Sequence, residues 1–156
     1  MKPIKRSLLP NTCTIYNVWK DPATGKMGHF RSFLRYTRLM DKASTVNVAG
    51  IGWTRVVTQF WLVDPVSSVA YAYDESGNKQ KKAYVDYLAW EALSPGEKAA
   101  HWTLREGDYL MPGECAVVIP PAKLTDLTAL KPRKINAIET ILDKPGAIHH
   151  WEVTLV

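Results

Sequence analysis

The sequence predicts a mainly β protein: a small antiparallel β-barrel or sandwich with one or two short helices and an inserted hairpin or loop. Three observations point there. Apolar and polar residues alternate with period two in run after run. β-Branched and aromatic side chains fill those runs. Tight-turn sequences separate them at short intervals, which joins neighbouring strands antiparallel and favours a closed or double-layered sheet.

At 156 residues the chain has the size of one domain, and a domain of that size buries roughly 70% of its unfolded surface without needing staples. Its hydrophobic fraction of 46% and charged fraction of 22% are ordinary for a globular protein. Six Trp and seven Tyr are a heavy aromatic load, of the kind that dominates cores and protein interfaces. The formal charge is +5. The cations form no solid run, although Lys79, Lys81 and Lys82 lie close together and Lys2, Lys5 and Arg6 make a basic amino end. Solvated surface and a weak electrostatic role near nucleic acid both fit this pattern. Cys13 and Cys115 are far apart and lack metal-binding spacing, so they read as reduced, buried thiols. No apolar stretch has the length of an export signal or of a membrane span. A protein kept in the cytoplasm, or in a particle assembled there, is expected.

Residues 1–11 contain Pro3 and Pro10 without periodicity and read as an arm ordered by a partner. The single domain then spans 12–156. Thr12 to Trp19 alternates and reads as a strand. Asp21-Pro22-Ala23-Thr24-Gly25 is a reverse turn, and His29 to Met40 returns as the second strand of a hairpin. In that strand neither the set Phe33, Arg35, Thr37, Leu39 nor the set Phe30, Ser32, Leu34, Tyr36 is purely apolar. Thr45 to Val48 is a short strand candidate broken by Gly50 and Gly52. Trp53 to Val63 is the strongest β segment, and its near-continuous apolar character predicts burial on both faces.

Asp64 to Lys82 is rich in turn formers and reads as an excursion, either a second hairpin projecting from the body or a plain surface loop. Asp86 to Leu93 has helical spacing. Ser94-Pro95-Gly96-Glu97 is a helix start, with Ser94 as cap, Pro95 at the first position and Glu97 closing a capping box. Trp102 to Arg105 reads as a strand, Glu106-Gly107-Asp108 as a tight turn, and Cys115 to Ile119 as a strand stopped by Pro120-Pro121. Leu124 to Leu130 is expected to form one or two helical turns, with Thr125 as a cap. Arg133 to Leu142 splits into two alternating sets, of which Ile135, Ala137, Glu139 and Ile141 is the more apolar. Asp143-Lys144-Pro145-Gly146 is a turn. Ile148 to Leu155 carries Trp151, Val153 and Leu155 on one face and completes a closing hairpin.

The chemistry-bearing constellations are weak. On a strand His149 and His150 point to opposite faces, so they do not bind one metal together. Glu106 and Asp108 flank Gly107, where turn geometry explains them. No nucleophile elbow, Walker loop or dinucleotide fingerprint is present. No catalytic residue, metal or cofactor is assigned, and the protein is expected not to be an enzyme. Tyr71, Tyr73 and Tyr84 interleave with Lys79, Lys81 and Lys82 as in single-strand binders. A protein interface built of the same residues, joined by Lys5 and Arg6 of the arm, fits equally well.

Three segments in order resemble a family of small phage and prophage structural proteins encoded among head and head–tail connector genes. Ile15 to Gly25, including Asp21 and Gly25, resembles its opening hairpin. Trp102 to Asp108, with Gly107 and followed by Pro112-Gly113-Glu114, is similar to its mid-chain motif. Ile148 to Val153, with His149, His150 and Trp151, resembles its closing strand. The resemblance covers 12–156, and 64–82 is longer than the family leads one to expect. It implies a small β-barrel with no catalytic residues, and assigns His149, His150 and Trp151 to folding or ring contacts. It implies a stopper-type neck protein forming a homo-oligomeric ring below the portal, or a tail terminator or minor capsid protein of the same particle. The implied partners are other copies of the chain, portal or adaptor proteins and tail-tube or terminator proteins, with non-specific contact to packaged or passing DNA and no membrane. The implied location is the virion neck, assembled in the host cytoplasm. A free, basic nucleic-acid-binding module is the alternative from another class.

Overall fold

A computed structural model describes residues 3–119, 123–144 and 147–156. The expected mainly β architecture is present, and its core is a closed ring of six strands. In ring order these are β1 (Asn11–Lys20), β7 (Tyr109–Pro112), β8 (Arg133–Lys144), β9 (Ala147–Leu155), β3 (Gly52–Val63) and β2 (Met27–Val48), which pairs back with β1. Three further strands branch from β2: β4 (Val69–Tyr73) and β5 (Lys79–Tyr84) antiparallel, then the short β6 (His101–Trp102) parallel to β5. Helices α1 (Tyr87–Ala92), α2 (Pro95–Ala100) and α3 (Leu124–Ala129) are each a turn or two long.

The barrel closes because inward-facing residues from every ring strand meet. Cys13, Ile15, Leu34, Trp61, Val63, Leu110, Ile135, Trp151 and Val153 share one core cluster. β1 is buried on both faces. Its second face meets a smaller cluster outside the ring, formed by Tyr16, Cys115 and Leu127 of α3. Both cysteines are free and buried, and burial pushes the Cys13 thiol up to about 12.

Several expectations need correction. Thr45–Val48 is the end of a continuous 22-residue β2, not a separate strand. Gly50 and Gly52 do not break it but turn it into β3. Both have positive φ, at 81° and 90°, which a Cβ would strain. Burial on both faces holds only for the inner end of β3, where Phe60, Trp61 and Val63 are buried. Residues 41–53 are all exposed. The segment that projects from the body is therefore the outer β2–β3 ribbon. The 64–82 segment is instead a hairpin hydrogen-bonded to the body through Phe33↔Tyr71 and Arg35↔Val69.

Cys115–Ile119 is not a strand, and neither is Thr103–Arg105. The first segment is held by side chains instead: Thr14 Oγ1 accepts from Cys115 N at 2.8 Å and Tyr16 donates to Val117 O at 2.7 Å. Lys123, not Thr125, caps α3. A bulge between Ile135 and Ala137 shifts the alternation of β8, which brings Ile138 rather than Ala137 or Glu139 against the core. The capping box at Ser94 is present, with Ser94 N donating to Glu97 Oε2 at 2.9 Å. The Pro120–Pro121 stop, the Pro145–Gly146 half of the last turn, and Lys2 lie outside the described residues.

The arm is also docked rather than loose. Ile4 N donates to the buried carboxylate of Asp64 at 2.8 Å, and Ser67 Oγ donates to Ile4 O at 2.7 Å. A 3-10 turn over Arg6–Leu8 follows, and Leu9 is 1% exposed.

Candidate functional site

Two surfaces stand out. The first is the β2–β3 ribbon. Its pairing runs unbroken from Thr37↔Val63 to Val48↔Gly52. Val, Thr and Trp residues favour the extended backbone, but beyond Gln59 no core stands behind them. Directly paired residues share a face, which puts Val46, Val48 and Val56 on one side and Trp53 and Val57 on the other. Ile51 at the tip and Trp53 are 76% and 75% exposed. Two-stranded ribbons are marginal alone in water, and contiguous exposed apolar surface marks an interaction site. β9 runs antiparallel to β3, pairing Trp151 with Val63 and Thr154 with Phe60. The Lys144 end of β8 and the Ala147 end of β9 therefore lie toward the Val63 end of β3, opposite the ribbon tip. β7 and the turn before it cover the outer edge of β8 only from Arg133 to Ile135.

The second surface is a basic hollow on the face made by β2, β4 and β5. It encloses about 400 Å³ and is lined by Arg6, Arg35, Tyr36, Val69, Tyr71, Lys79 and Lys81. Four of the expected interface residues meet here: Arg6, Tyr71, Lys79 and Lys81. Lys79 Nζ sits 3.9 Å above the Tyr71 ring, Arg35 lies 5.4 Å from it, and Arg6 lies 4.5 Å above Tyr36. Arg35 Nε donates to the Tyr71 hydroxyl at 3.1 Å, and that hydroxyl donates to Glu114 Oε1 in a short bond. Burial, then the bond to Glu114, pushes the Tyr71 phenol up to about 12.

Tyr36 is placed by strain. It is the extra residue where Asn11 pairs Thr37 but Thr12 pairs Arg35, and its φ is +60°. Such a backbone costs a bulky residue roughly 1–3 kcal/mol, and a bulge re-aims the side chain. Here it brings Tyr36 out under Arg6. The carbonyl of Tyr36 accepts from Ser68 Oγ at 2.7 Å, which holds the bulge.

The remaining interface candidates lie elsewhere. Lys5 is exposed beside the 3-10 turn but does not line the hollow. Tyr73 packs edge-on to Tyr71 at 5.8 Å and donates weakly to Glu114 Oε2. Lys82 is not a surface cation: it is 4% exposed, and its ammonium donates to Arg31 O at 2.8 Å and Ser32 Oγ at 2.9 Å. Burial and the Arg31 charge pull its pKa down to about 8. Tyr84 packs against Trp102 at 5.1 Å and Trp151 at 4.9 Å, two motif residues, and remains 37% exposed.

The motif residues are framework. Asp21 accepts from Ala23 N and Thr24 Oγ1 within the first turn, and Gly25 N donates to Asp21 O. The Thr24 and backbone bonds hold the Asp21 carboxyl below its ordinary range. Gly107 N donates to Ile135 O. Asp108 does more than turn the chain. It is 1% exposed, accepting from Val18 N at 2.8 Å and Asn17 Nδ2 at 2.7 Å, with Arg105 3.5 Å away. It thereby ties the turn to β1. Trp151 is 4% exposed and belongs to the core.

His149 and His150 do not point to opposite faces. Ile141 pairs His150 and Leu142 pairs Ile148, so His149 is a bulge residue. A bulge brings successive side chains to one side, and the two Nδ1 atoms lie 2.6 Å apart. His150 also lies 3.6 Å from Glu152. Among the described residues no group of three or more His, Cys, Asp or Glu is placed to hold a metal, and no helix is long and apolar enough to cross a membrane.

Sequence reasoning missed Arg31, Arg35 and Tyr36 of β2, and Glu114. The available sign was the mixed character of both faces of that strand: Arg35 follows Phe33 in one set, and Tyr36 ends the other. No family model, no curated protein and no solved structure matches this chain.

Proposed function

We propose that this chain is a non-enzymatic structural component of a tailed-phage or phage-like particle, a head–tail connector of the stopper or neck type whose copies form a ring below the portal. The observation that carries the proposal is the β2–β3 ribbon, with Ile51 and Trp53 about three-quarters exposed on a strand pair that has no core behind it. A ring needs two different sticky surfaces on one chain. The ribbon supplies one, and the outer edge of β8, unpaired beyond Ile135 among the described residues, offers a row of backbone groups as the other. The resemblance of Ile15–Gly25, Trp102–Asp108 and Ile148–Val153 to small phage and prophage structural proteins supports the particle, and the place of that family among head and head–tail connector genes supports the neck position. A tail terminator or minor capsid protein uses the same surfaces and is the alternative within that particle. On this proposal the partners are other copies, portal or adaptor proteins and tail-tube or terminator proteins, and the chain resides in the virion after assembly in the host cytoplasm.

The test is the mass of the purified chain by light scattering, alone and mixed with a portal protein from the same particle. A ring-sized species, or a stable complex with portal, is expected. A monomer that ignores the portal overturns the connector role.

A further inference from the structure

We infer that the hollow between the amino-terminal turn and the β2–β4–β5 face binds the phosphodiester backbone of nucleic acid and reads no bases. The inference stands apart from the ring proposal, because it concerns a different face and is read out by a different measurement.

Cations from three separate parts of the fold converge there: Arg6 from the arm, Arg35 from β2, and Lys79 and Lys81 from β5. They carry a large unbalanced positive charge. Glu114 is the one carboxylate paired with any of them among the described residues, at 3.9 Å from Arg35, and it also takes the Tyr71 hydroxyl bond. Arg6, Lys79 and Lys81 have no ion-pair partner among the described residues.

The aromatic rings do not offer free stacking platforms. Lys79 covers Tyr71 and Arg6 covers Tyr36, at 3.9 and 4.5 Å. Base stacking on a single strand needs open ring faces. With the faces occupied, the rings orient the cations instead, and a cation so held presents its charge outward. The lining contains no Asn or Gln to read adenine, and the Arg side chains that could read guanine are engaged, Arg35 by the Tyr71 hydroxyl and Glu114 and Arg6 by the Tyr36 ring.

Spacing favours a line of charge over one isolated anion. Lys79 and Lys81 are alternate residues on one strand, so they project from the same face about 6.8 Å apart. They pair with Tyr73 and Tyr71 of β4, and Tyr71 pairs with Phe33 beside Arg35. The cations therefore form a row across the sheet, suited to successive phosphates. Each neutralised phosphate releases counterions, so binding of this kind weakens steeply with salt.

The experiment is fluorescence anisotropy of the full chain with a labelled duplex of about one and a half to two helical turns, in several sequences, from low to physiological salt. Binding with a log–log salt slope of about −2.7 to −3.6 is expected, from three to four phosphates at about −0.9 each, and it should be indifferent to sequence. The K79Q/K81Q variant should lose about two units of that slope while keeping its melting temperature. R133Q/K134Q, on the far side of the ring, should behave as the parent. Absence of binding at low salt, binding unchanged in K79Q/K81Q, or strong sequence preference overturns the inference. Binding of labelled polyglutamate in place of DNA also overturns it, and reassigns the hollow to an acidic protein segment.

Discussion

At the scale of single residues, buried polar side chains help to hold this barrel beside its apolar core. Asp108 shows why. Burial raises its pKa from 3.8 to about 6, so the folded chain holds this proton more tightly than the unfolded chain. The stabilisation from that proton is complete below about pH 3.8 and is lost as pH rises through about 6, a swing on the order of 3 kcal/mol. Asp108→Asn should remove this component, so that urea midpoints at pH 4, 5, 6 and 7 decline less than those of the parent. Parallel profiles would show that Asp108 titrates as an ordinary carboxylate. Trp151 tests the apolar side of the same framework. It fills the ring interior beneath Tyr84 and is 4% exposed. Trp151→Ala should therefore cost roughly 3–5 kcal/mol, measured by chemical denaturation. Lys98 is a third case. Its ammonium lies between Trp19 and Trp90, at 5.2 and 5.0 Å, and donates to Glu91 O and Leu93 O. It closes the carboxyl end of α1, a role its charge and position in the sequence did not disclose.

At the scale of elements, the arm and the ribbon behave oppositely. Leu9 of the arm is buried, so Leu9→Ala should lower stability by about 2–5 kcal/mol; an unchanged melting temperature would return the arm to a loose tail. Ile51 and Trp53 face solvent, so the I51K/W53K pair should leave the melting temperature within about a degree while abolishing the ring-sized species. Loss of folding in that pair would mean the ribbon is part of the core. Most elements were legible in the sequence. The strands at Thr12–Trp19 and Ile148–Leu155, the alternation over Trp151–Leu155, the turn at Asp21–Gly25 and the capping box at Ser94 all state a local geometry that the structure keeps. What was not legible depends on partners distant in the chain. An apolar run such as Trp53–Val63 looks the same whether a second sheet covers it or a neighbouring molecule must. A bulge cannot be seen before the register is known, so strict alternation does not show where Tyr36, Ile138 and His149 lie. The basic hollow was half legible: Lys79 and Lys81 announced it, whereas Arg35 reaches it only because β4 and β5 join β2.

At the scale of the whole molecule, β2 is the organising strand. One of its edges pairs with β1 and the other with β3 and then β4. It therefore carries the barrel wall, the projecting ribbon and the basic face together, and the two candidate surfaces share one rigid support. That arrangement also shapes how the chain reaches its fold. The β1–β2 and β2–β3 hairpins are local and form as soon as their turns do. The ring, however, closes through β7 against β1, with Thr14 Oγ1 bonded to Gly113 O across 99 residues. Contacts of such separation make folding slow, on the scale of milliseconds to seconds. On the ribosome, amino-terminal hairpins would stand open until residue 113 and the closing strands emerge, with the apolar ribbon among the first surfaces displayed. If copies assemble through their ribbons as proposed, nascent copies made side by side on one message would meet there before their barrels shut, and the strand order would favour co-translational assembly.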